Sequence, residues 1–178
     1  LQTVEDLQKV GNANPDFNLG FRNNLSWKGF NLGFLLTARI GGEVMSATQA
    51  ILDKYGVSEA SAIARDNGGV TVNFGKLDPQ YFYEYIGGGD TGMLSNYVYS
   101  ATNVRLQELT LGYNLPKKWF NDKLNMTVSL IGRNLWMIYN KAPFDPESIA
   151  FTGTYFQGLD YFMQPSLRNV GFSVRMQF

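Results

Sequence analysis

The sequence contains neither cysteine nor histidine. Without cysteine there is no disulfide framework and no thiolate chemistry. Without histidine the commonest general base and metal ligand is missing, so Ser-His catalysis or a histidine-held metal is excluded. Charge of either sign is not in excess: 15 Lys and Arg balance 15 Asp and Glu. That balance gives no electrostatic reason to expect nucleic acid as a partner. Long apolar runs are also lacking. The longest, such as Gly33–Leu36 and Leu135–Ile138, fall far short of the ~20 residues that a membrane-spanning helix needs. No secretory leader is visible and the first residue is Leu1, which fits either a removed signal or a piece of a longer polypeptide; the second is the expectation.

Aromatic residues and glycine are plentiful, with 10 Tyr, 13 Phe, 3 Trp and 19 Gly, a mix suited to β-structure with many turns. The informative signal is period-2 alternation, which marks strands with one apolar and one polar face. Phe17, Leu19, Phe21, Leu25 and Trp27 share one parity, opposite Asn18, Gly20, Arg22, Asn24 and Ser26. After Lys28–Gly29 the pattern restarts with Phe30, Leu32, Phe34, Leu36, Ala38 and Ile40, with Leu35 as an exception. Two alternating runs around a two-residue break predict a tight hairpin. Further runs carry Leu109, Leu111, Tyr113 and Leu115, then Leu124, Met126, Val128 and Leu130, and finally Val170, Phe172, Val174, Met176 and Phe178.

Five strands are therefore expected, at about 17–27, 30–40, 104–115, 124–138 and 167–178. Their connections are lopsided: short at Lys28–Gly29 and Pro116–Lys123, long over about 41–103 and 139–165. In an antiparallel meander this puts short turns at one end and long loops at the other, as in outer-membrane barrels. Arg22, Arg39, Arg133 and Arg175 all take the polar parity, where they avoid the cost of about 2–4 kcal/mol for an arginine at the lipid midplane. Arg105 breaks the parity and is placed above the membrane, beside the long loop. Trp27, Tyr113 and Phe178 fall at the short-turn end and Phe17 and Trp136 at the long-loop end, where interfacial aromatic girdles belong. The expected fold is an all-β, antiparallel transmembrane β-barrel with short periplasmic turns and long extracellular loops. Alternation alone also describes a soluble carbohydrate-binding β-sandwich. Five strands cannot close a barrel, and open edges cannot be satisfied in lipid. Val70–Phe74 and Tyr81–Ile86 are possible extra short strands. A small self-contained outer-membrane barrel, adhesin or enzyme, would need more spanning strands than these, so the rest are expected from an N-terminal part of the same protein.

Several stretches resemble, in order, the C-terminal region of SusC/RagA-type TonB-dependent transporters. Asn103 to Pro116, NVRLQELTLGYNLP, is similar to that family's barrel strand RL-x-E-L-x-L-x-Y-x-L-P. Gly11–Phe17 resembles its G-N-x-x-P-D-F entry to a strand, followed by Leu25–Phe30 and Arg39–Gly42. Arg133–Leu135 resembles its x-N-L, Asp145–Glu147 its D-P-E loop, and Pro165–Phe178 its closing strand. The stretch from about Met45 to Gly68 matches nothing. The resemblance implies residues 1–178 as the last five strands of a 22-stranded barrel in the cell outer membrane, a multi-pass protein whose plug domain lies outside this chain. It also implies import of glycans or peptides with a SusD-like surface lipoprotein, and with the TonB complex acting through that plug. Partners would be the plug, the remaining barrel, the lipoprotein and the lipid bilayer. Phe178 would be the assembly signal read by the barrel-insertion machinery.

No catalytic constellation stands out, and the chain is expected to be neither an enzyme nor a holder of any cofactor or metal. Gly87–Gly92 lacks the Lys-Ser/Thr of a phosphate loop. Asp145 and Glu147 flank Pro146 and read as a rigid turn before a carboxylate pair or calcium site. Residues around Ala47–Tyr55 suggest a short helix. Tyr81, Tyr83, Tyr85, Tyr155 and Tyr161, with Phe82, Phe156 and Phe162, lie in the long loops. A tyrosine's flat face and hydroxyl suit sugars or peptide backbone; packing of the loops or contact with the lid protein is the plainer expectation. Arg22, Arg39, Arg133 and Arg175 are expected to face the lumen, pairing with acidic plug groups or lining the transport path.

Overall fold

The structure, a computed structural model, describes residues 9–88, 92–121, 123–150, 153 and 157–177. Two long strands come first, β1 (Phe17–Trp27) and β2 (Phe30–Ile40). Then follow β3 (Glu43–Ser46), α1 (Ala47–Lys54), α2 (Glu59–Asp66), β4 (Val70–Val72), β5 (Gly75–Leu77), α3 (Pro79–Ile86) and β6 (Val98–Ser100). The last elements are β7 (Asn103–Asn114), β8 (Asn125–Asn140), β9 (Leu159–Asp160) and β10 (Asn169–Gln177). They divide into two compact units. None of the described helices is long and apolar enough to cross a membrane.

One unit is an antiparallel five-stranded sheet in the order β1-β2-β7-β8-β10. The β1–β2 hairpin closes on Lys28 (φ 46°) and Gly29 (φ 90°), the pair of left-handed residues that a twist-matched two-residue turn requires. Lys28 spreads its ammonium over the Trp27 ring, 5.0 Å from the centroid. The β7–β8 connection passes through a 3-10 turn, Lys117–Phe120, which begins after Pro116 and ends at left-handed Asn121. The two long connections leave the opposite strand ends.

Register shows why alternation persists across the sheet. Phe21 pairs with Leu36, Leu25 with Leu32 and Trp27 with Phe30; Leu32 pairs with Leu111, Leu111 with Leu130 and Leu130 with Phe172. Cross-strand partners share a face, so one face is almost wholly hydrocarbon from edge to edge, broken by Asn23 opposite Phe34. That face is open: Val170 and Phe172 are each 78% exposed. The Phe30 and Tyr113 rings meet on it at 4.6 Å near the short-turn end. The opposite face carries Asn24, Asn31, Thr110, Thr127, Ser129 and Arg175.

Arg105 requires a correction. The β2–β7 register shifts where Leu35 pairs with Glu108 and Leu36 with Leu106. Gln107 is thus an extra residue, and such a bulge reverses the parity of everything beyond it. Before it, Val104 and Leu106 join the apolar face, opposite Ala38 and Leu36. Arg105 and Asn103 join the polar face, opposite Thr37 and Arg39. Arg105 therefore keeps the rule that the other arginines obey.

The second unit is built largely from residues 42–100 and 148–164. A small sheet in the order β6-β3-β9 feeds into α1, whose cap Ser46 accepts from the Gln49 amide at 3.0 Å. The Ser46 hydroxyl donates to Asp160 Oδ2 at 2.6 Å, tying the cap to β9. Ser58 caps α2 in the same way, accepting from the Ser61 amide at 3.1 Å. The helix expected near Ala47–Tyr55 is α1. Val70–Val72 does form a short strand, paired with Gly75–Leu77. Tyr81–Ile86, read above as a possible strand, lies instead in α3. Asp78 caps that helix by accepting from the Tyr81 amide at 3.0 Å, with Pro79 in its first turn, and this start signal outweighs the β-propensity of its tyrosines. The core is Ala50, Ile86 and Tyr97, with Phe82, Tyr83 and Tyr85 packed against it.

Helices α1 and α3 meet where Gly87 leaves no side chain. A Cβ there would lie 2.5 Å from the Ala50 carbonyl oxygen. Gly87→Ala should therefore force the helices apart at a cost of about 1–3 kcal/mol. Faster amide exchange confined to α1 and α3 is the expected readout, and unchanged exchange there would contradict this packing.

Candidate functional site

On the polar face, residues in register form a row across all five strands: Arg22, Leu35, Glu108, Arg133 and Asn169. Glu108 lies between two guanidinium groups. Arg22 Nη2 donates to its Oε1 at 3.3 Å, and Arg133 Nε lies 3.6 Å from its Oε2. The arginine side chains are 60% and 66% exposed, so each pair adds at most about 1 kcal/mol. One carboxylate shared by two cations leaves an excess positive charge on this face. Arg39 stands opposite Asn18 and Asn103, and Arg175 opposite Thr127, so the four arginines share the face. Glu108 was not singled out from the sequence, because its role depends on cross-strand register.

A second, buried group forms around Arg105, which is 2% exposed. Its Nη2 reaches Asp145 Oδ1 at 2.8 Å and Glu147 Oε2 at 3.2 Å. Nε donates to Asn103 Oδ1 at 3.3 Å and Nη1 to Asn134 Oδ1 at 3.4 Å. Asp145 Oδ2 accepts from the Ser166 hydroxyl at 2.5 Å and its amide at 3.2 Å. Burial pushes the Asp145 carboxyl up, but bonds from Ser166, Arg105 and the Glu147 amide, together with the Arg105 charge, hold it below its usual range. The Glu147 amide donates back to Asp145 Oδ1 at 3.1 Å, the side-chain turn expected around Pro146. What the sequence did not disclose is that this turn clamps an arginine.

The loop aromatics divide. Tyr83 and Tyr85 pack on the core of the helical unit. Tyr81 is 61% exposed and stacks on Tyr85 at 6.4 Å between centroids. Tyr161 is exposed beside Phe162, ring edge to ring face at 5.4 Å. Tyr155, Phe156 and Phe178 lie outside the described residues, as do Gly89–Thr91 of the glycine-rich stretch.

Strands of this length, with one hydrocarbon and one polar face in register, make the kind of wall from which outer-membrane β-barrels are built. The chain is homologous to TonB-dependent receptors and spans less than a fifth of the length of the relatives it matches. TonB-dependent receptor P3 of Formosa agariphila is 28% identical over 183 residues, 99% of this chain and 18% of the receptor. TonB-dependent receptor P39 of the same organism is 28% identical over 153 residues, 83% of this chain and 14% of the receptor. The RagAB peptide importer in its open-open state shares the fold, with a TM-score of 0.62 at 21% identity, over 92% of this chain and 17% of that one. No family model matches the chain.

Proposed function

We propose that this chain is C-terminal barrel wall of a 22-stranded TonB-dependent importer in the outer membrane, working with a SusD-like surface lipoprotein to take up glycans or peptides. The observation that carries this reading is the edge-to-edge apolar face of an unclosed sheet. In water such a face would be a large aggregation-prone patch; in a bilayer it is what lipid requires. The apolar face meets lipid, and the polar face with Arg22, Arg39, Arg133 and Arg175 meets the lumen. There the excess guanidinium charge around Glu108 serves acidic groups of the plug or the transport path. Edge strands β1 and β10 pair with the remaining strands of the same polypeptide, since unpaired backbone groups are not tolerated in lipid. Of the five loop tyrosines singled out above, Tyr81 and Tyr161 are the described ones exposed to meet substrate or lid; Tyr155 shares that role by its place in the chain. Phe178 is proposed as the assembly signal.

Denaturing mass analysis of the natively purified, detergent-extracted material tests this. The expected result is one polypeptide several times heavier than the 20.0 kDa of this chain, and loss of growth on one glycan or peptide class when its gene is deleted. A lone folded 20.0 kDa species would overturn the proposal.

A further inference from the structure

The helical unit contains a cleft that the barrel reading does not use. Its volume is about 330 Å³, at the small end of the ~300–1,000 Å³ typical of small-molecule sites. Local sequence builds it. The α1 helix closes with the Gly56 amide on the Asp53 carbonyl at 2.9 Å and the Val57 amide on Leu52 at 3.0 Å. Arg65 of α2 reaches back, donating Nη1 to the Gly56 carbonyl at 2.8 Å. The resulting wall faces α3, which contributes Gln80, Tyr83 and Glu84.

The lining is polar, aromatic and without net charge. Asp53, 4% exposed, lies at the lining with Lys54, Tyr55 and Arg65. Asp53 and Glu84 balance Lys54 and Arg65, so no ion of one sign is favoured. The polar groups are held in place: Gln49 Nε2 donates to Asp53 Oδ1 at 2.8 Å, and Gln80 Nε2 to Glu84 Oε1 at 2.8 Å. Burial, then the Asp53 charge, raises the Tyr83 hydroxyl above its usual range. Tyr55 is 71% exposed; the Lys54 ammonium stands over its ring, 6.0 Å from the centroid, so the ring offers the face turned away from Lys54 as a platform at the rim. Fixed planar donors and acceptors beside an open aromatic face match vicinal hydroxyls and the C–H face of a ring.

We propose that the cleft lined by Asp53, Tyr55, Arg65, Gln80, Tyr83 and Glu84 binds one neutral sugar residue of a glycan. The inference rests on the importer reading only for its use, which would make glycans the imported class.

Saturation-transfer NMR on the full-length protein in detergent tests it, with glucose, galactose, mannose and their neutral disaccharides as probes and the dipeptide Ala-Ala as competitor class. Transfer to at least one neutral sugar is expected, weakened about tenfold in affinity by Tyr55→Ala. Asp53→Asn should weaken it as well. Because Tyr55 is largely exposed, its truncation leaves the fold intact; Phe74→Ser, at the exposed tip of the β4–β5 hairpin, should leave binding unchanged. Transfer to none of these sugars, binding that survives Tyr55→Ala, or Tyr55-dependent binding of Ala-Ala alone would overturn the assignment. Membrane extraction and the heat-dependent gel shift of a folded barrel report on the importer reading separately, since neither depends on the cleft.

Discussion

Arg105→Ala should destabilise the protein by about 3 kcal/mol, at the lower end of the 3–5 seen when one partner of a buried ion pair is removed. The cost arises from what is left behind. The Asp145 side chain, 9% exposed, would keep its charge without the guanidinium 2.8 Å away, whereas Glu147, 40% exposed, regains water and loses little. Lysine should not rescue. It cannot reach Asp145, Glu147, Asn103 and Asn134 at once, because that needs the planar fork of five donors. Asp145→Asn added to Arg105→Ala should recover part of the loss by removing the stranded charge. The pair also sets an acid limit. A carboxyl whose folded pKa lies below the ordinary 3.8 contributes stability that is complete above the unfolded value and is lost as pH falls through the lower folded one. Thermal unfolding of the full-length protein, followed by gel mobility from pH 7 downward, should show wild type losing this increment below about pH 4. Arg105→Ala should lack that step. An Arg105→Ala protein as stable as wild type at pH 7 would mean that the cluster carries no stability.

The two faces of the wall were legible because the side-chain period is two and each run was long. Phe17 to Trp27, Phe30 to Ile40 and Val170 to Met176 need no tertiary context to declare a face. Arg105 was given the wrong parity because one residue, Gln107, reverses it, and a bulge has no period of its own; its place beside the long loop, against Asp145 and Glu147, stands. The same limit hid Glu108: its value depends on Arg22 and Arg133, which are distant in sequence and adjacent only in register. In the helical unit, Ala47–Tyr55 was readable, whereas α3 was hidden by aromatic residues that favour strands elsewhere. The Asp78–Pro79 pair at its start was the signal to weigh. The cleft between the helices was beyond the sequence altogether, since Tyr55, Arg65 and Tyr83 come from three different stretches, two of which, α1 and α3, meet at Gly87.

Val174→Arg should block assembly. Val174 pairs with Val128 in the middle of β10, and its neighbours on that face are Phe172 and Met176. If this face meets lipid, an arginine here costs about 2–4 kcal/mol at the midplane, and among the described residues no acidic neighbour stands in register to offset it. The expected outcome is loss of the heat-resistant folded species from the outer membrane and degradation of the protein in the periplasm. Ser173→Arg, one residue away and opposite Ser129 on the polar face, is the control that isolates facing from bulk and charge. It should assemble, because its guanidinium joins the wetted side that already holds Arg175. The two variants differ by a single position and by the pleat alone, so a one-residue error in register would exchange their phenotypes. Normal assembly of Val174→Arg together with failure of Ser173→Arg would put lipid on the opposite face. Normal assembly of both would remove the membrane from the account, since a bilayer cannot be indifferent to which side of a strand carries the charge.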